Sequence, residues 1–216
     1  MTDCLIAQTK RTRVGGTGPR RNKLLTHCKL GDAPERVVDE LNYILDTHSG
    51  NDIGGDDYGI SQNCEQLRIE FDTEDKYRQV LMQKKALGNG DDVDEYLYTE
   101  WDHHYLIRYT HPYIQTLFNN VYRFRLSEMK GDHELSWHID ADTSVICRAQ
   151  ICLSDSESLL EFRDKAGVHK LQMKKGEVWF INTGWNHRVV NGSNIRRSAI
   201  WGFHYDDLKD NGVLNV

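Results

Sequence analysis

His138-Ile139-Asp140 places an imidazole and a carboxylate two residues apart, and a second imidazole, His187, follows 47 residues after Asp140. On an extended strand, period-two alternation turns residues 138 and 140 to the same face. Two imidazoles and one carboxylate form a facial donor set that suits non-haem Fe(II), with Mn(II) or Zn(II) as surrogates. That set leaves three adjacent coordination positions for a cosubstrate and dioxygen. H-x-D alone is a weak signal, so its weight comes from what surrounds it. Ten positions beyond His187 stands Arg197, within Ile195-Arg196-Arg197-Ser198, and the run after it, Ser198-Ala199-Ile200-Trp201-Gly202-Phe203, is apolar enough to be buried. An arginine facing inward from such a run needs an anion, because a buried charge without a partner is costly. In an oxygenase that draws two electrons from 2-oxoglutarate, that anion is the distal carboxylate of the cosubstrate, which a guanidinium holds bidentately. On its spacing to His187, Arg197 rather than Arg196 is the expected anchor.

The elements that must position these groups are mostly strands. From about Val121 the sequence breaks into short β-rich runs separated by turn residues: Val121–Ser127, Leu135–Asp140, Ser144–Leu153, Leu159–Arg163, Val168–Met173, Glu177–Asn182, His187–Asn191 and Arg197–His204. Eight such runs without an intervening helical pattern predict an antiparallel jelly-roll, a double-stranded β-helix barrel of cupin-like form. Ahead of them, Val37, Val38, Leu41, Ile44 and Leu45 repeat at helical period from Ala33 to Leu45, with Pro34 in the first turn. A second helix is expected over Glu74–Leu87, a Gly/Asp-rich loop over Ser49–Asn63, and a solvated acidic loop over Asp91–Glu95. The expected class is mainly β with flanking helices (α+β). Residues 1–120 form a helical and loop region packed on a catalytic barrel of 121–216, in one compact domain.

Composition narrows the function classes. With 27 basic and 33 acidic residues the net charge is −6, which disfavours nucleic-acid binding through the whole surface. Lys10–Lys23 departs from this balance: it is rich in Lys and Arg, holds no acid, and contains Gly15-Gly16-Thr17-Gly18-Pro19, so it reads as a basic arm. Cys4, Cys28, Cys64, Cys147 and Cys152 are odd in number and never form C-x-x-C, the pattern of reduced thiols in a cytoplasmic protein. No apolar stretch approaches the ~20 residues of a membrane span, and the N-terminal residues lack the long apolar segment of a signal peptide.

Ser127-Glu128-Met129, Trp137-His138, Arg148-Ala149-Gln150-Ile151-Cys152-Leu153, Gly176-Glu177, Asn186-His187-Arg188-Val189-Val190-Asn191 and Arg197, taken together, resemble one known family. It is the aspartyl/asparaginyl β-hydroxylase branch of the Fe(II)/2-oxoglutarate dioxygenases, which includes free proline hydroxylases. The resemblance covers about residues 121 to 204. It implies His138, Asp140 and His187 as iron ligands, Arg197 and Ser127 on the distal carboxylate of 2-oxoglutarate, and Arg148 near cosubstrate or substrate. Gln150 stands where family members often carry histidine. Retention of Asp140 argues against a halogenase, which vacates that position. If Ser127 faces the interior, alternation brings Arg125 and Arg123 to the same face, where they meet acidic partners or the carboxylate of a substrate.

The expectation is therefore an enzyme that hydroxylates an aliphatic carbon of a small amino-acid-like or peptidyl substrate. It would use Fe(II), 2-oxoglutarate and O2 and release succinate and CO2. Two alternatives stand beside it: an oxygenase of nucleic acid or protein that uses the basic arm on phosphates, and a noncatalytic cupin-like barrel that binds a metal or small ligand.

Overall fold

The computed structural model describes residues 18–47, 64–68 and 108–216. The second expected helix, the two expected loops and residues 10–17 of the basic segment lie outside the described residues. The chain order is β1 (His27–Asp32), α1 (Glu35–Thr47), β2 (Cys64–Arg68), α2 (Thr110–Leu117), β3 (Tyr122–Met129), β4 (Glu134–His138), β5 (Cys147–Cys152), β6 (Leu159–Asp164), β7 (Gly167–Leu171), β8 (Glu177–Ile181), β9 (Asn186–Val190) and β10 (Arg196–Phe203). All eight strands expected after residue 120 form. α1 replaces the first expected helix with its apolar stripe intact, Val37, Val38, Leu41 and Ile44 all being buried.

The strands make two antiparallel sheets, a major one ordered β1-β8-β5-β10-β3-β2 and a minor one ordered β4-β9-β6-β7. This is the jelly-roll barrel. β1 and β2 come from the region expected to hold only helices and loops, and they close the two edges of the major sheet. β1 is hard to read in sequence because its alternation is broken by a register shift between Lys29 and Gly31.

The central strands β5 and β10 of the major sheet are mostly buried on both faces. Toward α1 the sheet presents Phe124, Leu126, Ala149, Ile151, Val178, Phe180, Ala199, Trp201 and Phe203, which join the α1 stripe in one apolar cluster. Toward the minor sheet it presents Met129, Cys152 and Ile181, which meet Leu160, Phe162, Leu171 and Val189. Two polar contacts lock the helices onto this frame. Asn42 Nδ2 donates to Leu153 O at the end of β5 (2.9 Å). The Glu40 carboxylate accepts from the N–H of Tyr109 (3.0 Å), the N–H of Thr110 (2.8 Å) and Thr110 Oγ1 (2.7 Å), which satisfies free donors at the start of α2. Among the described residues no helix is long and apolar enough to cross a membrane.

Leu41 has no exposed surface, so Leu41→Ala leaves a cavity between α1 and the major sheet. The expected cost is about 2–5 kcal/mol, read as a lower urea midpoint with an unchanged slope.

Candidate metal centre

His138 is the last residue of β4, and Asp140 follows in the connection to β5, so the strand stops two residues short of the expected end. Asp140 is held there by its own N–H, which donates to Thr183 O (3.0 Å) in the connection between β8 and β9. His138 and His187 stand directly opposite each other across β4 and β9, after a register shift between Leu135 and His138. An irregularity of this kind twists the strand and re-aims the side chains beyond it. The two ring centroids are 4.2 Å apart, His138 Nε2 lies 3.8 Å from Asp140 Oδ1, and one ligand atom from each of the three residues falls within 4.8 Å of the others.

Each imidazole is oriented through its other nitrogen. His138 Nδ1 faces Ser136 O at 2.7 Å, and His187 Nδ1 faces Trp185 O at 2.9 Å. A carbonyl can only accept, so Nδ1 carries the proton and the Nε2 lone pair is left for a metal. Burial, and after it the facing His138 ring, hold the His187 imidazole below its ordinary pKa, in the neutral form that ligates. Neutral nitrogens and a carboxylate converging on one point fit Fe(II).

The backing of this centre is rigid. On the outer face of the minor sheet the buried carboxylate of Glu161 accepts from Arg188 Nε (2.7 Å) and pairs with Lys170 Nζ (3.0 Å). The Arg188 hydrogen bond holds that carboxyl below its usual range. Trp137, next to His138, lies under the guanidinium groups of Arg163 (4.3 Å) and Arg188 (4.9 Å). β4, β9, β6 and β7 are thus cross-linked directly behind the two histidines. The loop before His187 is held from the N-terminal side. Arg21 donates from Nη1 to Gly184 O (2.7 Å) and stacks over Trp185 at 5.2 Å, while its own carbonyl accepts from Asn182 Nδ2 (3.0 Å) and Trp185 Nε1 (3.2 Å). The described end of the basic segment is therefore docked on the barrel instead of extending as an arm. Sequence offered no signal for this beyond the basic residue itself.

The inner face of the major sheet carries the remaining expected residues. Arg148 is buried opposite Gly202 of β10, and it lies close enough to His187 for its charge to disfavour protonation there. Gly202 leaves room for this approach: a Cβ there would meet the side-chain ends Ile146 Cδ1 at 2.4 Å and Arg148 Nη1 at 2.9 Å, which would have to shift. Ser127 stands opposite Ser198, which stands opposite Cys152. Gln150 is buried in the next inward position of β5, its Oε1 3.4 Å from Arg196 Nη2 and its Nε2 donating to Met173 Sδ at 3.1 Å. Arg125 is buried in the same inward series of β3. The side chain of Arg123 lies outside the described residues.

Arg197 does not join them. Its Nε donates to Glu128 (2.8 Å), its Nη1 to Asp46 of α1 (2.7 Å), and Asn42 Oδ1 is 3.5 Å away. It lies on the helix side of the major sheet. The residue that turns inward is Arg196, only 6% exposed. Since Ser198 pairs with inward-facing Ser127 and Cys152, position 197 must face outward and position 196 inward. Counting ten residues from His187 passes through a turn and carries no information about this parity. The signal that does carry it is the alternation Arg196, Ser198, Ile200 against the apolar series Ala199, Trp201, Phe203.

No protein-family model matches the sequence, and a search of curated proteins finds no match. Solved structures do match. One is an oxidoreductase of the 2OG-Fe(II) oxygenase family from Burkholderia pseudomallei, with TM-score 0.51 and 11% identity over 96% of this chain and 92% of that one. Another is a prolyl hydroxylase from Trichoplax adhaerens in complex with a hypoxia inducible factor oxygen degradation domain peptide fragment, with TM-score 0.50 and 12% identity over 95% and 94%. A third is HygX from Streptomyces hygroscopicus with nickel and 2-oxoglutarate bound, with TM-score 0.50 and 10% identity over 84% and 83%. At these identities the likeness is one of fold: the chain has the jelly-roll architecture of the 2-oxoglutarate oxygenases.

The convergent triad predicts a single high-affinity transition-metal site. His187→Ala and Asp140→Ala should each weaken Mn(II) or Zn(II) binding by more than about 100-fold, beyond the 10–100-fold loss typical of an outer-shell partner, with an unchanged far-UV spectrum. Calorimetric titration of the metal-free protein measures this, and full affinity in either variant counts against the site.

Proposed function

We propose that this chain is an Fe(II)- and 2-oxoglutarate-dependent dioxygenase of the aspartyl/asparaginyl hydroxylase-like branch. Its reaction hydroxylates an aliphatic carbon of a small amino-acid-like or peptidyl substrate. The observation that carries the proposal is the convergence of His138, Asp140 and His187 inside a jelly-roll barrel, with both histidines presenting Nε2. Iron held by these three residues, with 2-oxoglutarate and O2, supplies the oxidising chemistry and gives succinate and CO2 as co-products.

The chain's own residues bind and orient. Arg196 replaces Arg197 as the anchor for the distal carboxylate of 2-oxoglutarate, assisted by Ser127 and Ser198. Ser198 is fully buried, and its Oγ has no hydrogen-bond partner among the described residues. A buried hydroxyl left without a partner is costly, and a bound carboxylate would satisfy it. Gln150 positions the Arg196 guanidinium. Arg148, beside His187, and Arg125 and Arg123 along β3 supply positive potential for the carboxylate of the prime substrate. Docking of Arg21 on the loop before His187 favours a small substrate over a nucleic acid, because that cation is already committed to Gly184 and Trp185. A reducing, cytoplasmic setting belongs to the same proposal and rests on the free thiols of Cys28, Cys147 and Cys152.

Succinate formation from 2-oxoglutarate that requires both Fe(II) and O2, screened with free amino acids, peptides and nucleotides for stimulation, tests the reaction class. A barrel that binds metal yet makes no succinate under any of these conditions would be the noncatalytic alternative. Within the active enzyme, Arg196→Ala should weaken 2-oxoglutarate by about 3–5 kcal/mol, the cost of stranding one partner of a buried pair. Arg197→Ala should leave the cosubstrate requirement unchanged and lower folding stability by ~1 kcal/mol or less, as expected for a partly exposed ion pair. Ser198→Ala should cost about 1 kcal/mol in 2-oxoglutarate affinity without lowering the stability of the free protein, which loses no hydrogen bond.

A further inference from the structure

His27 of β1 stands opposite Ile181 of β8, and Ile181 stands opposite Arg148 of β5. Residues directly opposite across a ladder share a face, so these three form one row across the inside of the major sheet. The minor sheet has a matching row: His169 opposite Phe162, Phe162 opposite His187, and His187 opposite His138. The two rows meet at their ends. The His27 ring stacks on Phe162 at 5.3 Å and 20°, and lies 5.8 Å from the Trp179 ring. The Phe162 ring is in turn 6.3 Å from that of His187. One phenyl ring therefore separates His27 from a metal ligand.

The remaining edge of His27 is available. Its Nδ1 is engaged by Thr26 Oγ1 at 3.1 Å, and among the described residues its Nε2 makes no hydrogen bond. The ring is only partly exposed, and burial, followed by nearby His169, lowers its pKa, so at neutral pH it offers a hydrogen-bonding edge without a charge. Asp164, the carboxylate beside His169, is already used by His169 Nε2 (2.9 Å) and by the N–H groups of Ala166 and Gly167. This end of the row is therefore polar and uncharged, while the Arg148 end is cationic. Adjacent strands lie about 4.8 Å apart, so His27 and Arg148 are separated by roughly 10 Å along the row, about the length of three extended residues.

We propose that His27 is a substrate contact whose Nε2 hydrogen-bonds an uncharged amide or hydroxyl group, which selects a peptidyl or N-acylated amino acid over a free one. The proposal rests on the oxygenase reading above. Asp164, the carboxylate beside His169, is already engaged among the described residues, whereas an amide matches a neutral imidazole edge.

The test uses the full-length enzyme with Fe(II) and 2-oxoglutarate, given each free amino acid and each corresponding N-acetyl amide, with succinate as readout. In parallel, imidazole 1H–15N resonances of the Zn(II)- and 2-oxoglutarate-loaded protein are followed during titration with the same compounds, His27 being assigned by its loss in His27→Gln. N-acetyl amides should stimulate turnover more than free amino acids and should shift the His27 signal. His27→Ala should raise KM for the stimulating amide about tenfold, the worth of one hydrogen bond, with a much smaller change in kcat. His27→Gln should recover most of that loss. His27→Phe, which keeps the stack and removes the edge, should reproduce the KM defect at normal thermal stability. Unchanged KM in His27→Phe, stronger stimulation by free amino acids, or a His27 signal that no compound shifts would each overturn the proposal. Absence of any succinate from the wild-type enzyme would instead sink the oxygenase reading, an outcome separate from the His27 signal.

Discussion

Side chains on the central strands β5 and β10 of the major sheet alternate between the α1 side and the space between the sheets, and most of them are buried on either side. On β10 this binary choice sends Ala199, Trp201 and Phe203 into the helix-side cluster and sends Arg196 and Ser198 inward. Neither can be exchanged with a neighbour without turning the whole strand over. The same parity on β3 and β5 lines the interior with Arg125, Ser127, Arg148 and Gln150. The polar character of the barrel interior follows from pairing register, which is itself set by the apolar residues on the opposite face.

A lining of this kind opposes folding unless something compensates it. Arg125, Arg148 and Arg196 are each no more than 9% exposed, and because guanidinium groups taken out of water cost several kcal/mol apiece unless paired, each engages other groups in the folded chain. The outward arginines are compensated by carboxylates. Arg197 meets Glu128 and Asp46, and Arg188 meets Glu161, so each finds a carboxylate from a neighbouring element. The outer arginines thereby join helix to sheet and strand to strand.

The candidate metal centre depends on the same division of labour. Its ligands sit at the ends of β4 and β9 and in the following connection, where side chains are less confined than in mid-strand, so their orientation must come from elsewhere. Backbone carbonyls of Ser136 and Trp185 set the imidazole tautomers, Thr183 holds the backbone of Asp140, and the Trp137–Arg188–Glu161 stack stiffens the sheet behind them. Most of this support is main chain, so it places little demand on residue type beyond the ligands themselves.

Local pattern in the sequence determined the eight strands after residue 120 and the stripe of α1, and it singled out the three side chains that converge. Each of these depends on properties that neighbouring residues share: period-two or helical repetition of apolar side chains, and the ligand chemistry of His and Asp. The strand β1 escaped notice because a register shift breaks its alternation, and α2 because its capping carboxylate, Glu40, lies on another helix. The identity of the inward arginine was decided by tertiary structure alone. Arg196 and Arg197 are chemically equivalent neighbours, and only the pairing of Ser198 with Ser127 and Cys152, together with the waiting carboxylates of Glu128 and Asp46, assigns one to the interior and the other to the helix. His27 likewise acquires its place beside the metal row only when β1 is laid against β8, because adjacency across a sheet is a relation between distant segments that no local spacing encodes.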